Sequence, residues 1–180
     1  NIYIKGQFVA QDINKAIHYY SLAANQNDIK AQYILGEIYY RGQYITTDIN
    51  KAIHYYSLAA DQNLPEAQFN LGIIYSEEQY NALDINKAIH YYSLAADQNI
   101  PEAQFNLGSI YFEGQYIKRD INKTIHYYSL AANQNFTQAQ LNLGNIYYEG
   151  QCVTRDINKA IYYFTIAANQ NIPEAQYSLG

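Results

Sequence analysis

Apolar side chains return at steps of three and four along the chain, in two alternating phrases. Ile49, Ala52, Ile53, Tyr56, Ala59 and Ala60 share one stripe of an α-helix, here termed helix B. Asp48 stands just before the stripe and suits an N-cap, because its short carboxylate accepts from free first-turn amides and complements the positive end of the helix dipole. Lys51 occupies the place of the Glu or Gln of a capping box, so the cap is expected to be single rather than reciprocal. The phrase closes at Gln62-Asn63, where asparagine can take the left-handed backbone that usually calls for glycine. The second phrase, helix A, opens at Pro65-Glu66, since first-turn amides have no partner within the helix and proline forfeits nothing there. Its buried stripe is Ala67, Leu71, Ile74 and Tyr75.

Both phrases recur. Asp12, Asp48, Asp84, Asp120 and Asp156 open the same Asp-Ile-Asn-Lys run, each 36 positions after the last, with no insertion or deletion. Gly36, Gly72, Gly108 and Gly144 fall in the middle of helix A, where each costs about 1 kcal/mol relative to alanine. A cost repeated in this way predicts close approach of a neighbouring helix. The loop from A to B, with Gly42 and Tyr44, is short enough to force an antiparallel pair. One hairpin cannot cover both of its apolar stripes, so hairpins must stack. The expected fold is all-α, a right-handed αα-superhelix (α-solenoid) of stacked antiparallel hairpins, in a single array of five 36-residue repeats over residues 1–180. Asn1 aligns with Glu37 and Gly180 with Gly36. The array is therefore expected to start and end inside helix A, as a window of a longer chain whose capping repeats lie outside it.

Composition narrows the chemistry. With 49% hydrophobic and 16% aromatic residues the chain can bury a core, which excludes disorder. No stretch reaches the roughly 18 to 20 apolar residues of a membrane helix, so no membrane insertion by this segment is expected. Sixteen acidic against eleven basic side chains give a net charge of −5, which repels phosphate backbones and argues against a nucleic-acid partner. Cys152 is the one cysteine and cannot form an internal disulfide. Nothing here depends on an oxidising compartment, which favours the cytoplasm.

The combined motif is Ala67-Gln-Phe-Asn-Leu-Gly-Ile-Ile-Tyr75, then Gly114-Gln-Tyr-Ile followed by Asp120, then Lys-Ala-Ile-His-Tyr-Tyr-Ser-Leu-Ala-Ala. It resembles the Sel-one-like repeat (SLR) family, a branch of the tetratricopeptide-like solenoids, and covers the whole chain. The period also fits this family better than ordinary tetratricopeptide repeats, whose period is about 34. The resemblance implies helix A on the concave side and helix B on the convex side. It also implies work as an adaptor or scaffold in protein assembly, signalling or quality control, often within larger proteins, including ones with a kinase domain. Three departures stand out. The second glycine of the family's G-x-G loop is Phe8, Tyr44, Tyr80, Tyr116 or Cys152 here. The third loop also has Glu78 in place of the first glycine, so the helix before it is expected to run on by a turn. The cysteine-rich bacterial members, which bridge each hairpin with a disulfide and for which penicillin binding or cleavage has been proposed, match poorly, because Cys152 is alone and lies in a loop.

Candidate binding residues lie on the exposed face of helix A, at positions three and four apart that avoid the stripe. They are Glu66, Asn70, Ile73 and Glu77, with equivalents Lys30, Ile34, Glu37 and Arg41, then Glu102, Asn106, Ser109 and Glu113, then Gln138, Asn142, Asn145 and Glu149. The last three of each set form the candidate partner-binding surface, since this is where the copies differ most. A solvated face that merely drifted is the alternative for any one of them. Asn70, Asn106 and Asn142 form a ladder able to serve an extended peptide backbone, or to bond between helices instead. Tyr33, Tyr40, Phe69, Phe105, Phe112 and Tyr148 are either aromatic anchors or, more commonly, packed core. The rim of this face runs from Lys5 and Arg41 to Glu77, Glu113 and Glu149, which suits a partner with basic residues, unless Lys118, Arg119 and Arg155 neutralise the acids locally.

Helix B offers less. His18, His54, His90 and His126 recur at one position, but packed helices are about 8 to 10 Å apart, too far for a shared zinc. Exposed histidines are expected. Ser57 follows His54 by three residues, yet a repeated surface pair supplies no oxyanion site or orienting acid. Leu22, Leu58, Leu94, Leu130 and Ile166 are expected to pack against the following repeat; exposed, they would invite weak self-association. The reading favoured is a non-catalytic protein–protein interaction scaffold that binds a peptide or protein on the concave helix A face, without metal or cofactor. The rivals are a structural spacer or self-assembly segment and, by analogy with the cysteine-rich members, a cell-wall or β-lactam hydrolase.

Overall fold

The computed structural model describes residues 12–80 and 82–180, and every regular element among them is helical. In chain order these are α1 (Ile13–Ala24), α2 (Ile29–Arg41), α3 (Ile49–Asp61), α4 (Pro65–Ser76), α5 (Ile85–Asp97), α6 (Pro101–Glu113), α7 (Ile121–Asn133), α8 (Thr137–Glu149), α9 (Ile157–Ala168) and α10 (Pro173–Leu179), with a 3₁₀ turn at Glu78–Tyr80. Odd numbers are helix B and even numbers helix A. The chain forms two compact units, one ending at Leu94 and the other running from Ala95 to Gly180. In the first, α2 packs on α1 and α3, and α3 on α4; in the second, α7 packs on α6 and α8, and α9 on α8 and α10. Consecutive helices thus pair as the repeat demands. Phe8 lies outside the described residues.

Local sequence sets the helix ends. Asp12, Asp48, Asp84, Asp120 and Asp156 each accept from the backbone N–H three residues on, at 3.0 to 3.1 Å. The expected single cap gains a return contact, because Lys15, Lys51, Lys87 and Lys159 place Nζ within 3.3 to 3.7 Å of the capping carboxylate. The backbone amide, foremost, holds the Asp12 and Asp48 carboxyls below their usual range. At the other end Asn27, Asn63, Asn99, Asn135 and Asn171 take φ of 61 to 66°, the left-handed turn expected of them.

Two interior devices join the helices. A Cβ at Gly36, Gly72, Gly108 or Gly144 would overlap the ring of Tyr56, Tyr92, Tyr128 or Phe164 respectively. The close approach expected of a neighbouring helix is therefore that of a ring it carries. Each of these rings is buried. The second device escaped sequence reasoning. Gln32, Gln68, Gln104 and Gln140 are at most 1% exposed, and each donates its amide to the carbonyl of Ala24, Ala60, Ala96 or Ala132 at 3.1 to 3.3 Å. Gln32, Gln104 and Gln140 also accept from Gln62, Gln134 and Gln170 of the following helix B at 2.7 to 2.8 Å. The recurring Ala-Gln pair was the available signal.

Two expectations fail. Helix α4 does not run on in the absence of glycine; it ends at Ser76, with Glu77 extended at φ −109° and ψ 126°. The 3₁₀ turn that follows lets Tyr80 donate to the Tyr40 hydroxyl at 3.0 Å. Asp84 N–H still reaches the Tyr75 carbonyl at 2.8 Å, as Asp48, Asp120 and Asp156 reach Tyr39, Tyr111 and Tyr147 at 2.9 to 3.0 Å. That bond returns the chain to the next cap whichever residue turns the loop. Nor are all the helix B leucines covered: Leu58, Leu94 and Ile166 are half-buried, but Leu22 and Leu130 are 47% and 36% exposed. Two helical residues turn through about 200°, which carries these positions away from the buried ring.

Gly108→Ala should destabilise the second unit by about 1 to 3 kcal/mol, because overlap with the Tyr128 ring outweighs alanine's helix gain of about 1 kcal/mol. Urea unfolding checks this, and Gly108→Ala combined with Tyr128→Leu should cost less than the two changes summed. A pH effect follows from Tyr56. Its hydroxyl donates to Glu37 Oε1 at 2.6 Å, and burial first, then that bond, raises its ionisation far above the usual tyrosine value. The unfolded chain ionises this group near pH 10, so the stabilisation is complete below about pH 10 and declines as pH rises beyond it. The urea midpoint should fall more steeply between about pH 8 and about pH 10.5 in the parent chain than in Tyr56→Phe.

Candidate binding surface

In the first unit the candidate face is largely satisfied from within. Glu37 receives Tyr56 on Oε1, Asn70 Nδ2 on the same oxygen at 3.1 Å, and Arg41 Nε on Oε2 at 2.5 Å. Asn70 also reaches the Tyr33 hydroxyl at 3.5 Å. Its amide thus bonds between helices, one of the two roles open to the ladder. Ile34, Ile73 and Glu77 are half-buried, and Glu77 accepts from the Gln79 side chain. Tyr33 and Tyr40 pack on Tyr56, and Phe69 on Tyr92, with ring centroids 5.8 to 6.3 Å apart. These rings belong to the core. Arg41 is tied to Glu37 and so is no free rim cation, and Lys5 lies outside the described residues.

The second unit differs. Phe105 packs on Tyr128 at 5.4 Å. The Tyr128 hydroxyl lies 3.1 Å from Ser109 Oγ, while burial pushes its ionisation upward. Asn106 is half-buried, whereas Glu113, Asn145 and Glu149 are exposed. Among the described residues the ion pairs are four Asp–Lys caps and Glu37–Arg41, so neither Glu113 nor Glu149 is paired. The loop arginines form no ion pair with these carboxylates. Arg119 lies over the Phe112 ring at 4.5 Å and donates Nη2 to Cys152 Sγ at 3.0 Å. Arg155 lies over Tyr148 at 5.2 Å and donates Nε to the Tyr148 carbonyl at 2.9 Å. Stacking on exposed aromatics, each seven residues earlier, claims both guanidiniums.

A hollow of about 260 Å³ opens here, lined by Phe112, Tyr128, Asn142, Asn145, Ile146 and Glu149, with Arg119 and Cys152 also facing it. Three of the candidate residues meet in it, and Phe112 is the aromatic of the candidate set that borders it. Sequence reasoning missed Arg119, Ile146 and Cys152 as wall residues. The Phe112–Arg119 and Tyr148–Arg155 spacing was a usable signal for the first.

On helix B the four histidines are exposed, and His54, His90 and His126 meet the next tyrosine edge-on at 5.0 to 5.1 Å. Those tyrosines stack on Tyr39, Tyr75 and Tyr111 at 5.8 to 6.0 Å, beneath Lys51, Lys87 and Lys123. Ser93, the counterpart of Ser57, donates to the Ile89 carbonyl at 2.7 Å rather than to a histidine. Among the described residues no group of three or more His, Cys, Asp or Glu is placed to hold a metal, and no helix is long and apolar enough to cross a membrane.

The Sel1 repeat model matches residues 1–28, 29–64, 65–100, 101–136 and 137–172, with divisions at the first residues of α2, α4, α6 and α8. Among solved structures, a Sel1 repeat protein from Oxalobacter formigenes aligns at 32% identity and a TM-score of 0.78, over 97% of this chain and 71% of that one. A protective antigen of uropathogenic Escherichia coli with an SLR fold aligns at 28% identity and 0.68, over 99% of this chain and 46% of that one. Helicobacter pylori cysteine rich protein B aligns at 28% and 0.56, over 74% and 96%. No curated protein matches. Sel1 repeat proteins are generally non-catalytic scaffolds for protein interaction. With five matched repeats, and the helix pairs those repeats require, the chain belongs to the Sel1 repeat family.

Proposed function

We propose that the chain is a docking module that binds an extended peptide or a protein segment on its helix A face, without catalysis. The observation that carries this reading is the hollow on α8, where Asn145 and Glu149 are exposed and without internal hydrogen bonds or ion pairs among the described residues. In the caps, the buried glutamines and the Glu37 network, by contrast, polar side chains are spent within the chain. Polar groups left unspent beside an apolar floor, here Ile146 and the Tyr128 ring, are what a partner's backbone and side chains require. Asn142 stands beside them in the wall of the hollow.

Short random peptides displayed on phage and selected against the full chain test this. Asn145→Trp places a bulky ring at the hollow and should weaken the selected peptides by more than about tenfold, with far-UV circular dichroism unchanged. His126→Ala, on helix B, should alter binding by less than about twofold. Peptides indifferent to Asn145→Trp would remove the reading. A second reading, weak self-association through helix B, is favoured by the exposure of Leu22 and Leu130. Sedimentation velocity over a concentration series should then show a rising mean size that Leu130→Glu abolishes; a constant size dismisses it.

A further inference from the structure

We propose that the hollow on α8 seats an aromatic side chain of the bound peptide. This rests on the docking reading above and specifies what the partner brings. The first unit shows the same place supplied with a ring of its own. Two repeats earlier, four of the lining residues have counterparts of another type: Phe112 stands in place of Tyr40, Arg119 of Thr47, Asn145 of Ile73 and Cys152 of Tyr80. The others, Gln151 among them, are unchanged. In the first unit Tyr80 packs against the core that holds Tyr56 and Ile74, with its ring centroid 5.5 Å from that of Tyr40 and its hydroxyl donating to the Tyr40 hydroxyl. In the second, the floor is again a tyrosine and an isoleucine, Tyr128 and Ile146. Cys152, however, brings no ring to lie on it, and Phe112 is exposed where Tyr40 is half-buried.

The loop explains why the ring is missing. Tyr80 reaches the core from the 3₁₀ turn after α4, where no glycine turns the chain. The loop after α8 turns on Gly150 at φ 66°. In two other glycine loops the residue at the place of Cys152 is Tyr44 or Tyr116, 41% and 44% exposed. A glycine loop thus leaves even a tyrosine exposed, and Cys152 reaches the hollow only with its short thiol. The lining itself favours a neutral occupant, since it carries one cation, Arg119, and one carboxylate, Glu149. The Arg119 guanidinium already lies over the Phe112 ring at 4.5 Å. Its attraction for aromatic faces suits a ring better than an aliphatic chain. The amides of Asn142, Asn145 and Gln151 can each donate and accept, so they can serve a phenol hydroxyl or the peptide backbone around the ring. An apolar floor beneath a polar rim matches an aromatic body with a polar tip. The volume of about 260 Å³ lies below the range of clefts for drug-sized ligands and suits one side chain.

The experiment uses the full chain and peptides selected on it from the displayed library, resynthesised with each aromatic residue replaced in turn by leucine, which keeps apolar bulk and removes the ring. At one position leucine should weaken binding by roughly tenfold. Arg119→Met keeps the stem without the guanidinium; it should weaken the parent peptide by roughly fivefold and the leucine peptide hardly at all. Far-UV circular dichroism of Arg119→Met should match that of the parent chain. Because Cys152 is the chain's one thiol, its alkylation reports on the hollow directly, and saturating peptide should slow it by roughly fivefold or more. Peptides that Asn145→Trp blocks but that tolerate leucine at every aromatic position, show no coupling to Arg119, or leave Cys152 unprotected would overturn the aromatic seat and leave the docking reading standing. Peptides insensitive to Asn145→Trp would overturn the docking reading and the seat with it.

Discussion

The insertion of one aromatic ring against one glycine is the constraint on which each helix pair depends. Tyr56 against Gly36, Tyr92 against Gly72, Tyr128 against Gly108 and Phe164 against Gly144 are the same contact. It joins each helix B to the helix A that precedes it, and it leaves no room for a β-carbon. Burying a ring yields more than the backbone freedom that glycine sacrifices, so the helix keeps a residue that its propensity opposes. The phenylalanine in the fourth copy shows that the ring, not the hydroxyl, makes the lock.

The hydroxyls are therefore available for other uses, and they are used differently. Tyr56 bonds Glu37, Tyr92 lies 3.1 Å from Ser76 Oγ, and Tyr128 meets Ser109. A constant steric seat thus carries a variable polar fringe. Beside it the buried glutamine works in the opposite way. At Gln32, Gln104 and Gln140 its two ends meet a backbone carbonyl and the next repeat's glutamine. A buried amide with fixed partners cannot change without leaving a group unsatisfied, whereas the tyrosine hydroxyl is satisfied by a carboxylate in one copy and by a serine in others.

Period, helix ends and the aspartate caps were legible in the sequence because each depends on neighbours within a few residues. The left-handed asparagines and the mid-helix glycines were legible for the same reason, although what the glycines accommodate was not. A ring twenty residues away cannot be assigned from local spacing. The buried glutamines were missed because glutamine reads as a surface residue unless its partners are known, and these are eight and thirty residues distant. Helix α4 misled because the loss of a glycine was read as the loss of a stop. The Asp84 to Tyr75 bond, formed across the loop, ends the excursion regardless. At the candidate site, the residue types on the helix A face were found, but their fates were not. Asn70 and Asn145 occupy the same face, yet one is consumed by Glu37 and the other is left exposed.

That contrast bears on how a repeat can acquire a site without disturbing its fold. In the first unit a carboxylate and an arginine neutralise each other over the tyrosine, and the face is closed to a charged partner. In the second, serine and glutamate at the same positions leave the tyrosine satisfied while the charge remains unpaired. Neither arrangement alters the seat of the ring against its glycine, the glutamine or the cap. An exposed ion pair contributes little to stability, on the order of 1 kcal/mol or less, so exchanging Arg41 for a glutamate at this position alters the electrostatics of the face far more than the stability of the stack. The positions that diverge among copies are those where divergence is energetically inexpensive, and they include the residues proposed above to meet a partner.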